Sequence, residues 1–265
     1  MAGNPYAAIE RGTPGTIGWR IHYFVEVGST QKVAAEMVEA GAVPGTVIIA
    51  ERQTAGRGRL GRSWHSPPGL NLYATIILQP RRSIAEVPQL SLVAGVAAAD
   101  ALATVAPGMV ALKWPNDIWL KGRKTGGIIA EAVTDAGQRL VWVLLGIGLN
   151  LNLAVYDLPE GLRDKATSVR IVTGRRCDRI ALAAELFSRL NSRYTEAEAH
   201  GFGVMHRDYE RYFALTGRSV TVSDGTNKVS GRVSGVDAGG ALMLETEGGL
   251  ERITAGEVSI TGAYE

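Results

Sequence analysis

The chain has 265 residues, 46% hydrophobic and 20% charged, an ordinary globular mixture with ample apolar material for a core. Lys and Arg number 28 against 26 Asp and Glu, so no bulk positive field suggests a nucleic-acid coat. The single cysteine, Cys177, excludes an internal disulfide, and no Cys-x-x-Cys is present to hold zinc. The most apolar stretch, 92–106, contains Asp100 and is too short to span a bilayer. Residues 1–18 lack the basic-then-apolar plan of a signal peptide, so a soluble cytoplasmic protein without membrane contact is expected.

In chain order, residues 1–19 are polar and rich in Gly and Pro and read as a flexible arm. A strand over 20–27 is followed by Gly28-Ser29-Thr30. A helix over 31–40 then carries Val33, Ala34, Met37 and Val38 on one face and stops at Gly41. A buried strand at 47–50, a loop at 53–68 and a strand at 70–78 precede an Ala-rich helix over 89–105, closed by Pro107-Gly108. Strands at 110–114, 118–120, 127–133 and 140–153 have turns too short for crossover helices, which makes them mostly antiparallel. Asp178 caps a helix whose Ile180, Ala183, Ala184, Phe187, Leu190 and Tyr194 recur at helical spacing, and a second helix runs over 205–215. After Thr216 the texture changes to five short alternating runs joined by Gly-rich turns, a small barrel. The fold class expected is α+β: a mixed, largely antiparallel sheet flanked by helices over 20–215, then a small β-domain over 216–265.

The loop 53–62 contains Gly56-x-Gly58-x-x-Gly61, which matches the dinucleotide-binding fingerprint only as a bare pattern. Pro67 and Pro68 follow where a helix would have to open, so the Rossmann reading fails. What remains is Arg57, Arg59 and Arg62 on a glycine-loosened backbone: either a solvated basic loop or a flap that orders over an anionic ligand. Lys113-Trp114-Pro115-Asn116-Asp117 and, seven residues on, Lys124 flank a tight hairpin and can face one cleft. A plain hairpin explains a surface lysine but not Trp-Pro-Asn-Asp. Ser29 and Thr30 stand at a helix start; N-capping is the simpler reading, and contact with a polar ligand head is the sharper one. Gly146 and Gly148, in a buried strand ending at Asn150, mark either a bulge or a surface for a flat ligand. The histidines are scattered, with His200 and His206 at helix ends, and Cys177 reads as an inert thiol.

Together GST at 28–30, QTAGRGRLGRSW at 53–64, KWPND at 113–117, KTGGIIAE at 124–131, GIGLN at 146–150 and the segment 236–260 resemble the biotin protein ligases, in family order, from residue 20 to the end. The resemblance implies a catalytic domain akin to class II aminoacyl-tRNA synthetases and lipoate ligases, followed by an SH3-like barrel. It implies that biotin and ATP, with Mg2+, give biotinyl-5′-AMP, which then biotinylates a lysine of a biotin carboxyl carrier protein. Carried over by position, Ser29, Thr30 and Gln53 bind biotin, and Arg57, Gly58 and Arg59 form the closing loop, extended by Arg62 and by Trp64 over the ligand or adenine. Lys124 is the main catalytic lysine with Arg59 and Asp117 beside it, Gly127 and Asn150 line the adenine side, and Lys113 touches phosphate or supports the site. Gln31 stands where the family usually has Asn, so its contact with biotin is left open. So is a homodimer. DNA binding is not expected, since too few residues precede the catalytic part to form the helix-turn-helix that some members add. Two alternatives stand beside this reading: a lipoate or octanoate ligase of the same superfamily, and a non-enzymatic sensor of biotinyl adenylate.

Overall fold

A strand that returns through a helix lies parallel to the next strand, whereas a short turn reverses it. Both rules operate in the computed structural model, which describes residues 3–12 and 17–261. After a short helix α1 (Ala7–Gly12), strand β1 (Arg20–Val27) crosses through α2 (Thr30–Glu39) to β2 (Thr46–Gln53), and β1 and β2 pair in parallel. Next come β3 (Leu72–Leu78), α3 (Val87–Ala103), β4 (Val110–Lys113), β5 (Asp117–Leu120), β6 (Arg123–Thr134) and β7 (Leu140–Leu149). The sheet order is β1-β2-β3-β7-β6-β5-β4, and every pairing after the first is antiparallel. The mixed, largely antiparallel sheet is as the short turns require.

Each face of this sheet has its own cover. On one, α2 sets Ala34 against Ile48, Ile77 and Leu144. On the other, α3 and α5 (Arg179–His200) bury Ile49, Ile76, Leu145 and Ile147, with the short α4 (Val169–Thr173) and α6 (His206–Tyr212) flanking them. Thirteen of the seventeen residues of α3 are buried, which is why it is apolar all round. The run Ile84–Ala103 is long and apolar enough to cross a bilayer by length and composition, longer than the stretch read from sequence, but it is mostly enclosed by protein. Asp178 caps α5 as expected, accepting from the amides of Ile180 at 2.9 Å and Ala181 at 3.1 Å.

Two expectations need correction. The described part of 1–19 is not a loose arm. Tyr6, Ile9 and Trp19 are all buried in the main core, and the Tyr6 ring packs at a tilt against Tyr23, centroids 5.9 Å apart. Polar spacing hid three large apolar anchors among small residues. Residues 1–2 and 13–16 of that expectation lie outside the described residues. The helix expected over 205–215 stops at Tyr212, because the next residues pair with the edge of β4 instead: Ala214 N–H donates to the Leu112 carbonyl at 2.9 Å.

The C-terminal strands β8 (Ser219–Ser223), β9 (Lys228–Val236), β10 (Leu242–Thr246), β11 (Gly249–Ile253) and β12 (Glu257–Ile260) form a second, antiparallel sheet in the order β11-β10-β9-β8-β12. Its Val220, Val233, Leu242 and Val258 join the same apolar cluster as α3 and the large sheet. The Trp114 indole N–H donates to the Gly240 carbonyl at 3.0 Å across that junction. Because Tyr6 is anchored, Tyr6→Ala is expected to cost about 3 kcal/mol, the scale of a buried aromatic truncated to alanine. Urea unfolding measures it; a change under about 0.5 kcal/mol, the scale of an exposed surface position, would restore the loose arm.

Candidate active site

Strand alternation puts residues an odd number apart on opposite faces. Lys124 and Gly127 in β6 break that rule, because the register against β5 shifts: Asp117 faces Gly127, yet Trp119 faces Lys124. The extra residue, Thr125, turns inward and donates to the Asn150 carbonyl at 3.1 Å. This bulge brings Lys124 onto the face that carries Asp117, and the Lys124 ammonium lies 2.6 Å from the Asp117 carboxylate. That face opens into a cleft walled by the start of α2, the 53–64 loop, β3, β6 and β7.

The inner wall of the cleft is a polar chain built where β2 ends and α2 begins. Gln53 Oε1 accepts from the Thr30 amide at 2.9 Å and its hydroxyl at 3.2 Å, and Thr75 donates to Thr30 Oγ1 at 2.9 Å. Gln53 Nε2 donates to Ser66 at 3.0 Å. Ser29 occupies the N-cap position of α2, but its hydroxyl makes no capping bond. The capping role is therefore not filled, and Ser29 Oγ is buried without a partner. So is Gln31 Oε1, although its Nε2 donates to the Leu144 carbonyl at 3.3 Å. A buried polar atom without a partner costs about 1–3 kcal/mol, so this end of the cleft is prepared for a ligand with both donors and acceptors.

The floor is glycine. A Cβ on Gly148 would stand 2.8 Å from the Trp64 indole, one on Gly127 3.3 Å from it, and one on Gly146 3.0 Å from Gln31 Oε1. The strand runs through Gly146 and Gly148 in regular register, so these glycines mark no bulge; they admit Trp64 and Gln31. Trp64 in turn lies under the Lys124 ammonium, 5.5 Å from ring centre to nitrogen, and its own N–H is buried and unpartnered.

The loop over the cleft folds back on itself. The backbone N–H of Trp64 donates to the Gly56 carbonyl at 2.9 Å and that of Gly58 to the Arg62 carbonyl. Its tip is a single 3-10 turn in which Leu60 takes φ 55° and Gly61 φ 73°, not the helix that a Rossmann fingerprint needs. Arg59 points into the cleft and donates to Asn116 Oδ1 at 2.9 Å; Asn116 is held by donating to the Ile128 carbonyl at 2.8 Å. Burial lowers the Arg59 pKa from its ordinary value while the Asp117 carboxylate opposes the change.

Of the residues singled out from sequence, Ser29, Thr30, Gln31, Gln53, Arg57, Gly58, Arg59, Trp64, Lys124 and Gly127 line the cleft, and Asp117 reaches it through Lys124. Three do not. Arg62 turns outward to Glu257 of β12, with Nη2 2.6 Å from Oε2. Asn150 is committed to structure, donating to the Thr167 carbonyl at 3.1 Å and accepting from Asn71 at 3.4 Å. Lys113 lies beyond Asp117, its ammonium 5.6 Å from the Trp119 ring centre; burial lowers its pKa, opposed by Asp117. Asn116, which holds Arg59, went unassigned among the site residues although it sits in the singled-out Trp-Pro-Asn-Asp run. Glu257 carried no signal, being one acid in a C-terminal strand far along the chain.

Comparison with known proteins fits this geometry. The model of the Biotin/lipoate A/B protein ligase family matches residues 24–150, and that of the Biotin protein ligase C terminal domain matches 215–260. The Biotin--[acetyl-CoA-carboxylase] ligase of Mycobacterium tuberculosis is 34% identical over 252 residues, covering 91% of this chain and 89% of its own. The Bifunctional ligase/repressor BirA of Bacillus subtilis is 34% identical over 244 residues, covering 92% of this chain and 75% of its own. The solved biotin protein ligase of Aquifex aeolicus in complex with biotin and ATP superposes with a TM-score of 0.80 at 30% identity, covering 91% of this chain and 98% of that one. With about a third of its residues identical to these ligases over some nine tenths of its length, the chain belongs to the biotin protein ligase family.

Proposed function

We propose that this chain is an ATP-dependent biotin protein ligase that forms biotinyl-5′-AMP and passes the biotinyl group to a lysine of a biotin carboxyl carrier protein. The observation that carries the reading is the convergence of Arg59, from the flap, and Lys124, from the bulged hairpin, on one cleft whose inner end holds unpaired polar atoms. The match to a biotin protein ligase C-terminal domain favours biotin over lipoate.

In the first step a biotin carboxylate oxygen attacks the α-phosphorus of ATP, a new O–P bond forms, and pyrophosphate leaves. Two unit charges 4 Å apart repel by about 4 kcal/mol at an effective dielectric of 20, so the reactants need fixed cations between them. Arg57, Arg59 and Lys124 supply them, and they stabilise charge that grows at phosphorus. The ureido head of biotin has two N–H donors and a carbonyl acceptor, which suits Gln31 Oε1 and the Ser29 hydroxyl at the inner end, with Thr30 and Gln53 framing them. Trp64 and Gly127 flank the nucleotide side. Asn150 supports the strand end there, and Arg62 and Lys113 act from outside the cleft. Mg2+ would enter as part of the ATP substrate, on its phosphates, and add to the positive charge that Arg57, Arg59 and Lys124 provide.

In the second step a neutral lysine amine of the carrier attacks the acyl carbon, the C–N bond forms and AMP leaves. Asp117, held by Lys124, is the assigned acceptor of the amine proton. The mixed anhydride is destroyed by water, which gives the flap its purpose between the two steps.

Lys124→Ala is expected to lower biotin-dependent ATP–pyrophosphate exchange by about two to three decades. Exchange near the wild-type rate in that variant removes Lys124 from the chemistry. Arg59→Gly is expected to let the adenylate escape and label bystander lysines, read by mass spectrometry of a mixed-protein reaction; modification confined to the carrier argues against a lid. Ser29→Ala is expected to raise stability by about 1 kcal/mol or more, because the hydroxyl caps nothing and its removal relieves a buried unpartnered polar atom, where a working N-cap would lose about 1 kcal/mol. The same variant should weaken biotin binding about tenfold in calorimetry, on the scale of one lost buried hydrogen bond.

A further inference from the structure

The outward turn of Arg62 links the flap to a second part of the molecule. Its guanidinium meets the Glu257 carboxylate through both nitrogens, Nη1 to Oε1 and Nη2 to Oε2, across 195 residues of sequence. Glu257 is not on a floating loop: it pairs with Ser223 in the C-terminal sheet, and the next residue, Val258, is buried in the shared core. The backbone of Arg62, for its part, is tied to the business end of the flap. Its carbonyl accepts from Gly58, and its amide donates to the Arg59 carbonyl at 3.2 Å. The two arginines at the ends of this turn therefore face opposite ways, Arg62 anchored outside and Arg59 into the cleft. Glu257 also stands close enough to act on the charges of Arg59 and Lys113, which places an acid at the rim of the cation cluster.

We propose that Glu257 is a positioning residue for adenylate formation: through Arg62 it pins the outer end of the flap turn, so that Arg59 is presented to the nucleotide phosphates. This rests on the ligase reading above. A bidentate guanidinium–carboxylate pair has a fixed geometry that a lysine or a lone charge lacks, which suits it to hold an orientation rather than add stability. The pair is half exposed, so its loss loosens the flap without unfolding the protein.

The test compares wild type, Glu257→Gln, Arg62→Gln, Arg62→Glu and the charge-swapped pair Arg62→Glu with Glu257→Arg. Biotin-dependent pyrophosphate exchange is measured across ATP concentrations, and hydrogen exchange is followed at flap amides 58–62 in the ligand-free protein. Glu257→Gln and Arg62→Gln should each raise KM for ATP about fivefold, with kcat within twofold of wild type, the scale of one exposed ion pair. Both should speed flap hydrogen exchange, and the swapped pair should recover both properties beyond Arg62→Glu alone. Unchanged KM and flap exchange in both glutamine variants, or a swapped pair no better than Arg62→Glu, overturns the proposal. Arg62 lies on the exposed flap, so Arg62→Gln carries the test should Glu257→Gln fold poorly. The flap measurement needs no substrate: a wild type without exchange activity defeats the ligase reading, while hydrogen exchange still decides whether Glu257 pins the flap.

Discussion

A β-strand alternates its side chains between two faces, and this site exists because one strand does so imperfectly. Lys124 and Gly127 are three residues apart and would face opposite ways in a regular β6. The bulge at Thr125 puts both on the cleft side, where Lys124 meets Asp117 and Gly127 leaves room for Trp64. Without that residue the ammonium would be driven towards the packed face of the sheet, against α3, where a charge has no partner. The bulge is itself held: Thr125 is fully buried and bonded to the Asn150 carbonyl, and Asn150 is bonded to Thr167 and Asn71. Asn150 thus contributes to the site at one remove, by fixing the strand that fixes the lysine.

The remaining parts answer a single difficulty, the meeting of two anions. Cations must converge from different sides, yet the ligands must also enter. The rigid side is the hairpin with Lys124; the adjustable side is the flap with Arg57 and Arg59. Between them the glycine floor lets the indole of Trp64 lie against β6 and β7 and keeps Lys124 over an apolar surface. The partnerless atoms of Ser29 and Gln31 sit at the opposite, closed end. Charge at one end and neutral polar groups at the other give the cleft a direction, and a ligand with a neutral polar head and an anionic tail fits it one way round.

Much of this was legible in the residues. The short turns of 110–149 required antiparallel strands, Asp178 announced a cap, and Pro67-Pro68 ruled out a nucleotide-binding helix; all three follow from local rules that tertiary packing did not override. The polar arm was misread because Tyr6, Ile9 and Trp19 are single apolar residues in Gly- and Pro-rich surroundings, and their burial depends on a surface made by distant segments. Ser29 looks like a cap because position alone is visible in sequence; its hydroxyl takes no helix amide, while the neighbouring Thr30 N–H is taken by Gln53 from a different element. The shared face of Asp117 and Lys124 could be guessed from the hairpin, but not the bulge, since one inserted residue leaves no mark in composition or period. Arg62 and Glu257 were invisible as a pair because nothing in one sequence connects residues so far apart.

The flap must satisfy opposite demands, closing over a labile anhydride and then admitting a lysine from another protein. The strength of its ties fits that compromise. Arg59 is held by the neutral amide of Asn116 and not by a carboxylate, although Asp117 is the next residue. A neutral acceptor gives roughly half the strength of a charged one, so phosphate oxygens can compete for the guanidinium when nucleotide arrives. Arg62 has the stronger kind of partner but in partial contact with water, where such a pair contributes about 1 kcal/mol at most. Arg57 is weaker still, 4.0 Å from Glu131. No single tie is strong enough to lock the loop, and together they are enough to bias it. The glycine at the tip, Gly61, takes the positive φ of 73° that lets the turn reverse. A flap fastened by a buried ion pair would hold the adenylate well and yield it to no acceptor.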